Sequence, residues 1–132
     1  DVDEFFEMRP HENSPYMLLV APVKASQRLN VEEVESVRGL DKLKQIRSSV
    51  PAITHVDYSA RVQTIDTQHH PRFYKIIKAF KARTGSPVVI NTSFNVRDEP
   101  IVCSPEDAYR CFMATEMDVL VLGNYVLAKE QQ

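Results

Sequence analysis

The chain has 132 residues, enough for one domain with a buried core, and its 43% hydrophobic and 26% charged content is that of an ordinary globular protein. A formal net charge of −2 excludes a general electrostatic pull toward nucleic acid or an anionic membrane. No apolar run approaches the ~18 residues of a membrane-spanning helix, and the two cysteines, Cys103 and Cys111, lack the spacing of a disulfide framework or zinc site.

A reducing, cytoplasmic setting is therefore expected, with no membrane partner. The opening Asp1-Val2-Asp3-Glu4 is acidic and has no signal-peptide pattern; a start without Met reads as a segment cut from a longer chain. There is no internal repeat and no low-complexity tract.

Residues 1–16 read as irregular, ending in the turn Asn13-Ser14-Pro15. Met17 to Val23 is apolar apart from Pro22 and predicts a short buried strand. Residues 31–49 carry four acids and four bases, with Val34, Val37, Leu40, Leu43 and Ile46 recurring every third residue. That stretch reads as helical, interrupted near Gly39. Ile53–Val56 and Ala60–Ile65 predict two strands around Asp57-Tyr58-Ser59. In the second, Ala60, Val62 and Thr64 share one face, while Arg61 and Gln63 point the other way.

Pro71 to Thr84 has the clearest helical period, with Phe73, Ile76, Ile77 and Phe80 on one face and Gly85 as a left-handed stop. The face is expected to be buried, with Lys75, Lys78 and Lys81 exposed. Pro87–Ile90 predicts a short buried strand leading into the polar run Asn91-Thr92-Ser93-Phe94-Asn95. A second helix opens with Ser104 as N-cap, Pro105 at its first position and Glu106 and Asp107 in its first turn. Its inner stripe is Ala108, Cys111, Phe112 and Thr115. Asp118–Leu122 and Tyr125–Leu127, separated by Gly123-Asn124, close the chain as strands. Interleaved strands and helices give an α+β or α/β class with a mixed sheet.

The densest polar cluster is Asn91 to Pro100, placed where a rigid strand can hold a loop in fixed geometry. Its amides, hydroxyls and guanidinium suit carbonyl and phosphate oxygens, while the plainer alternative is that Asn and Ser only build a turn. Arg61 can reach a phosphate across a cleft or simply face solvent. His55 has no nucleophile assigned beside it and reads as a hydrogen-bonded structural histidine. Adjacent His69 and His70 lack a third ligand and read as surface residues, so no metal site is expected in this chain. Arg72, Lys75, Lys78, Lys81 and Arg83 make a basic helix face without interleaved aromatics, a solvated face rather than a nucleic-acid interface. Cys111 reads as core.

The run Ile90-Asn91-Thr92-Ser93-Phe94-Asn95-Val96-Arg97-Asp98-Glu99-Pro100-Ile101-Val102 narrows these alternatives. Together with Ser104-Pro105-Glu106-Asp107-Ala108-Tyr109 and Asp118-Val119-Leu120-Val121-Leu122-Gly123-Asn124, it closely resembles the C-terminal region of the O-carbamoyltransferases of nodulation and antibiotic biosynthesis. Ser14-Pro15-Tyr16-Met17 and the stretch His55 to Thr64 match the same family in the same order. The resemblance covers nearly all of residues 1–132, with 31–49 least distinctive. It implies an α+β domain with a YrdC-like mixed sheet flanked by helices, truncated on its N-terminal side. It further implies an upstream actin-like domain that holds a metal and transfers the carbamoyl group to a substrate hydroxyl.

The region in hand would then help make carbamoyl-adenylate from carbamoyl phosphate and ATP, with ATP as substrate. On that resemblance Ser93-Phe94-Asn95 is similar to a Ser-x-Asn element. Ser93, Asn95 and Arg61 are the expected catalytic groups, and Asn91, Thr92 and Arg97 the substrate-binding ones. The other class kept open is a non-catalytic ligand-binding or interface module. Two positions depart from the family pattern: Asp98 and Tyr58 stand where glycine is usual or frequent. The basic segment that the family places upstream would precede Asp1, so the isolated chain is expected to lack a complete active site.

Overall fold

The computed structural model describes residues 1–29, 32 and 36–132. It is α+β, as the interleaved pattern predicts, and divides into two compact units, Asp1–Ile90 and Asn91–Gln132. Among the described residues the strands pair as two separate two-stranded antiparallel ribbons rather than as a mixed sheet.

In the first unit, strand β1 (Leu19–Pro22) pairs with β2 (Ser59–Val62), placing Ala21 opposite Ala60 and Val20 opposite Arg61. The strand period of two turns Ala21, Ala60 and Val62 inward, onto Phe5, Phe6 and Val23. Phe5 closes a short helix, α1 (Val2–Phe5), and Phe6 bridges to Val23, so the N-terminal residues read as irregular supply the largest side chains of this core.

The expected faces of β2 are the observed ones, with Arg61 outward. The run Met17–Val23 is not wholly buried: Leu18 and Val20 are exposed. The ribbon is covered on one face only, so inward and outward residues alternate even where every residue is apolar. Ile53–Val56 does not form a strand. Pro51 starts a 3-10 turn, Pro51–Ile53, because a fixed φ and a missing N–H suit a helical start and not a ladder.

Gly39–Lys44 is also a 3-10 turn, with Gly39 at φ 65 breaking the helical reading where expected. Leu40, Leu43 and Ile46 are exposed, whereas Arg47 and Ser48 are buried, so the threefold stripe does not mark an inner face. Val34 lies outside the described residues. The Arg47 guanidinium donates to the carbonyls of Lys42 and Thr54, and the Ser48 and Thr54 hydroxyls bond to each other at 2.6 Å. These bonds offset part of the cost of burying a charge that has no carboxylate partner among the described residues.

Helix α2 spans Pro71–Thr84, with Pro71 at its first position and Gly85 at φ 81 closing it by donating its N–H to the Lys81 carbonyl. The ends match the sequence reading; the burial does not. Phe73, Ile76 and Phe80 are exposed, Ile76 at 54%, and no residue of the helix is buried. A 3.6-residue period identifies the face that would bury, and cannot say that something covers it. Lys81, expected to be exposed, is half-buried and paired with Asp1 at 2.8 Å and Glu4 at 2.9 Å. No strand forms over Pro87–Ile90, where Val89 and Ile90 are exposed; a short apolar run needs a neighbour to pair with, and the period alone does not supply one.

In the second unit, helix α3 (Pro105–Met113) starts at Ser104, whose hydroxyl accepts the Asp107 N–H at 3.1 Å. Ala108, Cys111 and Phe112 are buried as expected. Strands β3 (Val119–Leu122) and β4 (Tyr125–Ala128) form a hairpin in register Leu120 to Leu127, turned by Gly123 at φ 59. Leu120 is the buried residue of this hairpin, and β3 packs against α3. Lys129 closes the unit, donating to the Phe112 and Thr115 carbonyls at the C-terminal end of α3, with its ammonium 4.4 Å from the Phe112 ring.

Candidate functional site

Two places hold the residues singled out by the sequence, one in each unit. In the first, Arg61 points away from the core of β2 and its Nη2 donates to the Met17 carbonyl at 2.8 Å. Gln63 donates to the Pro15 carbonyl at 2.7 Å, Ser14 N–H donates to the Thr64 hydroxyl at 2.9 Å, and Thr64 N–H returns to the Ser14 carbonyl at 3.0 Å. Ser14 is buried and its hydroxyl accepts from Leu19 N–H at 3.3 Å. Residues 14–17 are thus laced onto 61–64, although some fifty positions separate them (Ser14 to Thr64). Met17, at φ 55, takes a left-handed backbone to present its carbonyl to Arg61. The rest of the exposed Arg61 guanidinium keeps donors for an anion.

His55 approaches the Ser59 hydroxyl at 2.9 Å, but that hydroxyl gives its proton to Asp57 at 2.7 Å. A serine whose proton is committed to a carboxylate is not activated by the imidazole, so this trio builds a turn, as the structural reading of His55 requires. The Ser59 hydroxyl and N–H hold the Asp57 carboxyl below the usual carboxylate range. His69 rests against Asp66 at 2.8 Å on the surface.

The second place is the loop 91–99. Phe94 and Val102 are tied by a backbone bond from Val102 N–H to the Phe94 carbonyl at 3.0 Å. Within that span, Val96-Arg97-Asp98-Glu99 is a turn closed by Glu99 N–H on the Val96 carbonyl at 3.2 Å. Arg97 keeps a negative φ and Asp98 lies at φ 67, the pattern of a type II turn. Asn95 Nδ2 donates to both carbonyls at the turn's corners, Val96 at 3.2 Å and Glu99 at 3.0 Å. Two carbonyls can only accept, which fixes the amide with its nitrogen toward the turn.

Thr92, Ser93 and Arg97 are exposed. Among the described residues no hydrogen bond or ion pair engages their side chains. Asn91 is exposed and already engaged. The loop therefore carries two hydroxyls and a guanidinium that have no partner among the described residues, in the same stretch as a clamped turn. Arg61 belongs to the other unit.

The signal that sequence reading passed over was stereochemical. Tyr58 and Asp98, the two positions where the resemblance leads one to expect glycine, lie at φ 62 and φ 67. The substitutions keep the backbone that glycine would favour. Arg28 stacks on the buried Tyr58 ring at 5.2 Å, which compensates at one of them.

The outer flank of α3, from Pro105 and Glu106 past Tyr109 and Arg110 to Met113, lines a shallow open depression of about 770 Å3 that holds none of these residues. Among the described residues no three His, Cys, Asp or Glu side chains gather to hold a metal ion, and no helix is long and apolar enough to cross a membrane.

Residues 1–129 match the family described as "Carbamoyltransferase C-terminus". The chain belongs to that family. It is 55% identical over 132 residues to an uncharacterized protein of Synechocystis, covering 99% of this chain and 21% of that protein. It is 37% identical over 130 residues to the nodulation protein NolNO of Sinorhizobium fredii, covering 98% of this chain and 16% of the relative. With a 3'-hydroxymethylcephem-O-carbamoyltransferase of Amycolatopsis lactamdurans it shares 42% identity over 77 residues, covering 58% of this chain and 15% of the other. The chain thus spans about a fifth or less of the length of these relatives, and the family resemblance read from its motifs is correct.

Proposed function

We propose that this region is the activating part of an ATP-dependent O-carbamoyltransferase, with a YrdC-like role in forming carbamoyl-adenylate. The observation that carries the proposal is the loop 91–97, where Thr92, Ser93 and Arg97 offer uncommitted donors beside a clamped turn. Family membership supports carbamoyl transfer in general, and the donor set supports an anionic substrate.

The chemistry is as follows. Carbamoyl-adenylate contains one phosphate, taken from the α-position of ATP. The phosphate of carbamoyl phosphate must therefore leave separately, with one water consumed, giving carbamate and inorganic phosphate. A carbamate oxygen then attacks the α-phosphorus, the bond from that phosphorus to the β-phosphate oxygen breaks, and pyrophosphate departs. Negative charge grows on the phosphate oxygens as this happens. Hydroxyl and guanidinium donors held in place stabilise it without a covalent intermediate. In this scheme Ser93 and Asn95 serve the transition state and Asn91, Thr92 and Arg97 bind substrate; Arg61, which belongs to the other unit, is a phosphate-binding candidate of its own. Transfer to a hydroxyl acceptor falls to an upstream actin-like domain of the same chain, which would also hold the metal. The cytoplasm is the fitting compartment, and both cysteines are unpaired.

A second reading, a non-catalytic interface module, is favoured by one observation: the exposed apolar face of α2. The two are separated by incubating the full-length protein with ATP and carbamoyl phosphate without an acceptor. Carbamoyl-phosphate-dependent exchange of labelled pyrophosphate into ATP, abolished by changes in the loop, is the expected result. Exchange that is absent, or that survives replacement of Thr92, Ser93 and Arg97 together, would falsify the activating role.

A further inference from the structure

We infer that Arg28 and Tyr58 are positioning residues for Arg61: the Arg28 guanidinium, laid over the Tyr58 ring, fastens the end of the β1–β2 ribbon that no turn closes. This rests on the reading of Arg61 as a phosphate-binding group. The strands of a hairpin take their register in part from the turn between them. β1 and β2 have no such turn, because Pro22 and Ser59, which face each other at this end, are far apart in the sequence. Bonds beyond the paired positions have to hold the ribbon's ends.

One end is secured by the bonds between Ser14 and Thr64. At the other, Val23 donates its N–H to the Tyr58 carbonyl at 2.7 Å. A hydrogen-bonded antiparallel pair exchanges two such bonds, and here the return bond is missing. Tyr58, at φ 62, turns its N–H to the His55 carbonyl at 3.1 Å. The Val23 carbonyl accepts Arg28 Nε at 2.8 Å instead, and the same guanidinium lies 5.2 Å from the centre of the Tyr58 ring. Arg28 thus replaces the lost bond and grips the residue whose left-handed backbone gave it up. The Tyr58 hydroxyl is buried with no hydrogen-bond partner among the described residues, so the ring contributes its face and not its hydroxyl. Glycine, which the resemblance leads one to expect at 58, would adopt this backbone freely and offer Arg28 nothing to stack on. Three residues on, Arg61 faces outward and donates to the carbonyl of Met17, just ahead of β1, at 2.8 Å. Any shift of β1 along β2 moves that carbonyl, and the aim of the guanidinium moves with it.

A pair that acts through Arg61 predicts a pattern that a merely structural pair does not. In the full-length protein, kcat and KM for carbamoyl phosphate in pyrophosphate exchange are measured for Arg28→Ala, Arg61→Ala and the double variant. Arg28→Ala is expected to raise KM about fivefold, the scale of one cation–π contact, with kcat kept. Once Arg61 is gone, Arg28→Ala should add no more than about twofold, since the two act through one contact.

Tyr58→Phe keeps the ring and removes only the unpartnered hydroxyl, and should leave KM at the parental value. Tyr58→Gly frees the backbone but removes the stacking surface, and should raise KM as Arg28→Ala does. Losses that multiply in the cycle, a parental KM for Arg28→Ala, or a Tyr58→Phe protein as impaired as Tyr58→Gly overturns the positioning role and leaves Arg61 as a phosphate-binding group. An Arg61→Ala variant with parental KM overturns the reading of Arg61 itself, and the positioning role with it. An Arg28→Ala protein that does not fold also counts against the proposal, because the pair would then hold up the core rather than aim a side chain.

Discussion

Replacing Phe112 by alanine is expected to unfold the second unit of the isolated chain. Phe112 is fully buried, and the other buried apolar residues of this unit, Ala108, Cys111 and Leu120, are each smaller than its ring. Truncating a buried phenylalanine costs about 3–5 kcal/mol. The ammonium of Lys129, 4.4 Å from the ring, adds about 0.5–2 kcal/mol that is lost with it. At roughly 0.05–0.15 kcal/mol per residue, the 42 residues from Asn91 to Gln132 hold about 2–6 kcal/mol in all. The loss therefore matches or exceeds the stability available. Amide hydrogen exchange across residues 105–128 is the assay, with Lys129→Met as a companion variant that keeps the ring and removes its cation and the cap. Exchange near the unprotected rate in Phe112→Ala, with partial protection kept in Lys129→Met, is the expected pattern. Protection lowered by less than about 1 kcal/mol in Phe112→Ala would refute the assignment of this ring as the unit's centre.

Three further outcomes follow. The carboxyls of Asp57, Asp66 and Asp107 are held below the usual range, chiefly by the Ser59 hydroxyl, the His69 N–H and the Ser104 hydroxyl respectively. A folded pKa below the unfolded one means stability that is present above the unfolded value, near 3.9, and lost as pH falls through the folded values. Urea midpoints should thus drop on acidification below about pH 4, and less steeply in Asp107→Asn; equal slopes would contradict the cause assigned. Arg61→Ala should loosen residues 14–17 by about 0.5–1.5 kcal/mol, read as faster exchange at Leu19, and should raise KM for carbamoyl phosphate in the full-length protein. The 132-residue chain alone should release no pyrophosphate from ATP and carbamoyl phosphate, and release at the full-length rate would contradict the expectation, drawn from the family resemblance, that an upstream basic segment is needed.

What the sequence made legible was local. Pro71 with Gly85, Ser104 with Pro105, and Gly123-Asn124 each determine a backbone conformation within a few residues, and these ends and turns stand where they were read. The inward face of β2 was legible for the same reason. What failed was anything that depends on a distant partner. The strand that pairs with β2 is β1, about forty residues upstream (Val20 opposite Arg61), rather than the adjacent 53–56. Phe5 and Phe6 looked like part of an irregular start, yet form the core. Phe73, Ile76 and Phe80 promise burial and receive none. In the site, the polar richness of 91–97 was evident from composition. Which of its side chains are committed to the loop's own backbone was not, because the Asn95 bonds to the Val96 and Glu99 carbonyls depend on how the turn closes.

The central claim is that the loop from Asn91 to Arg97 acts on the reacting phosphates, and Ser93 tests it most directly. Its hydroxyl has no partner among the described residues, so Ser93→Ala removes a donor without breaking a bond of the fold. In the full-length protein, carbamoyl-phosphate-dependent ATP–pyrophosphate exchange should fall about a hundredfold to a thousandfold, the usual cost of losing one transition-state donor, with the melting temperature unchanged. Exchange at the parental rate with an unchanged melting temperature would contradict the account and leave the loop a structural turn.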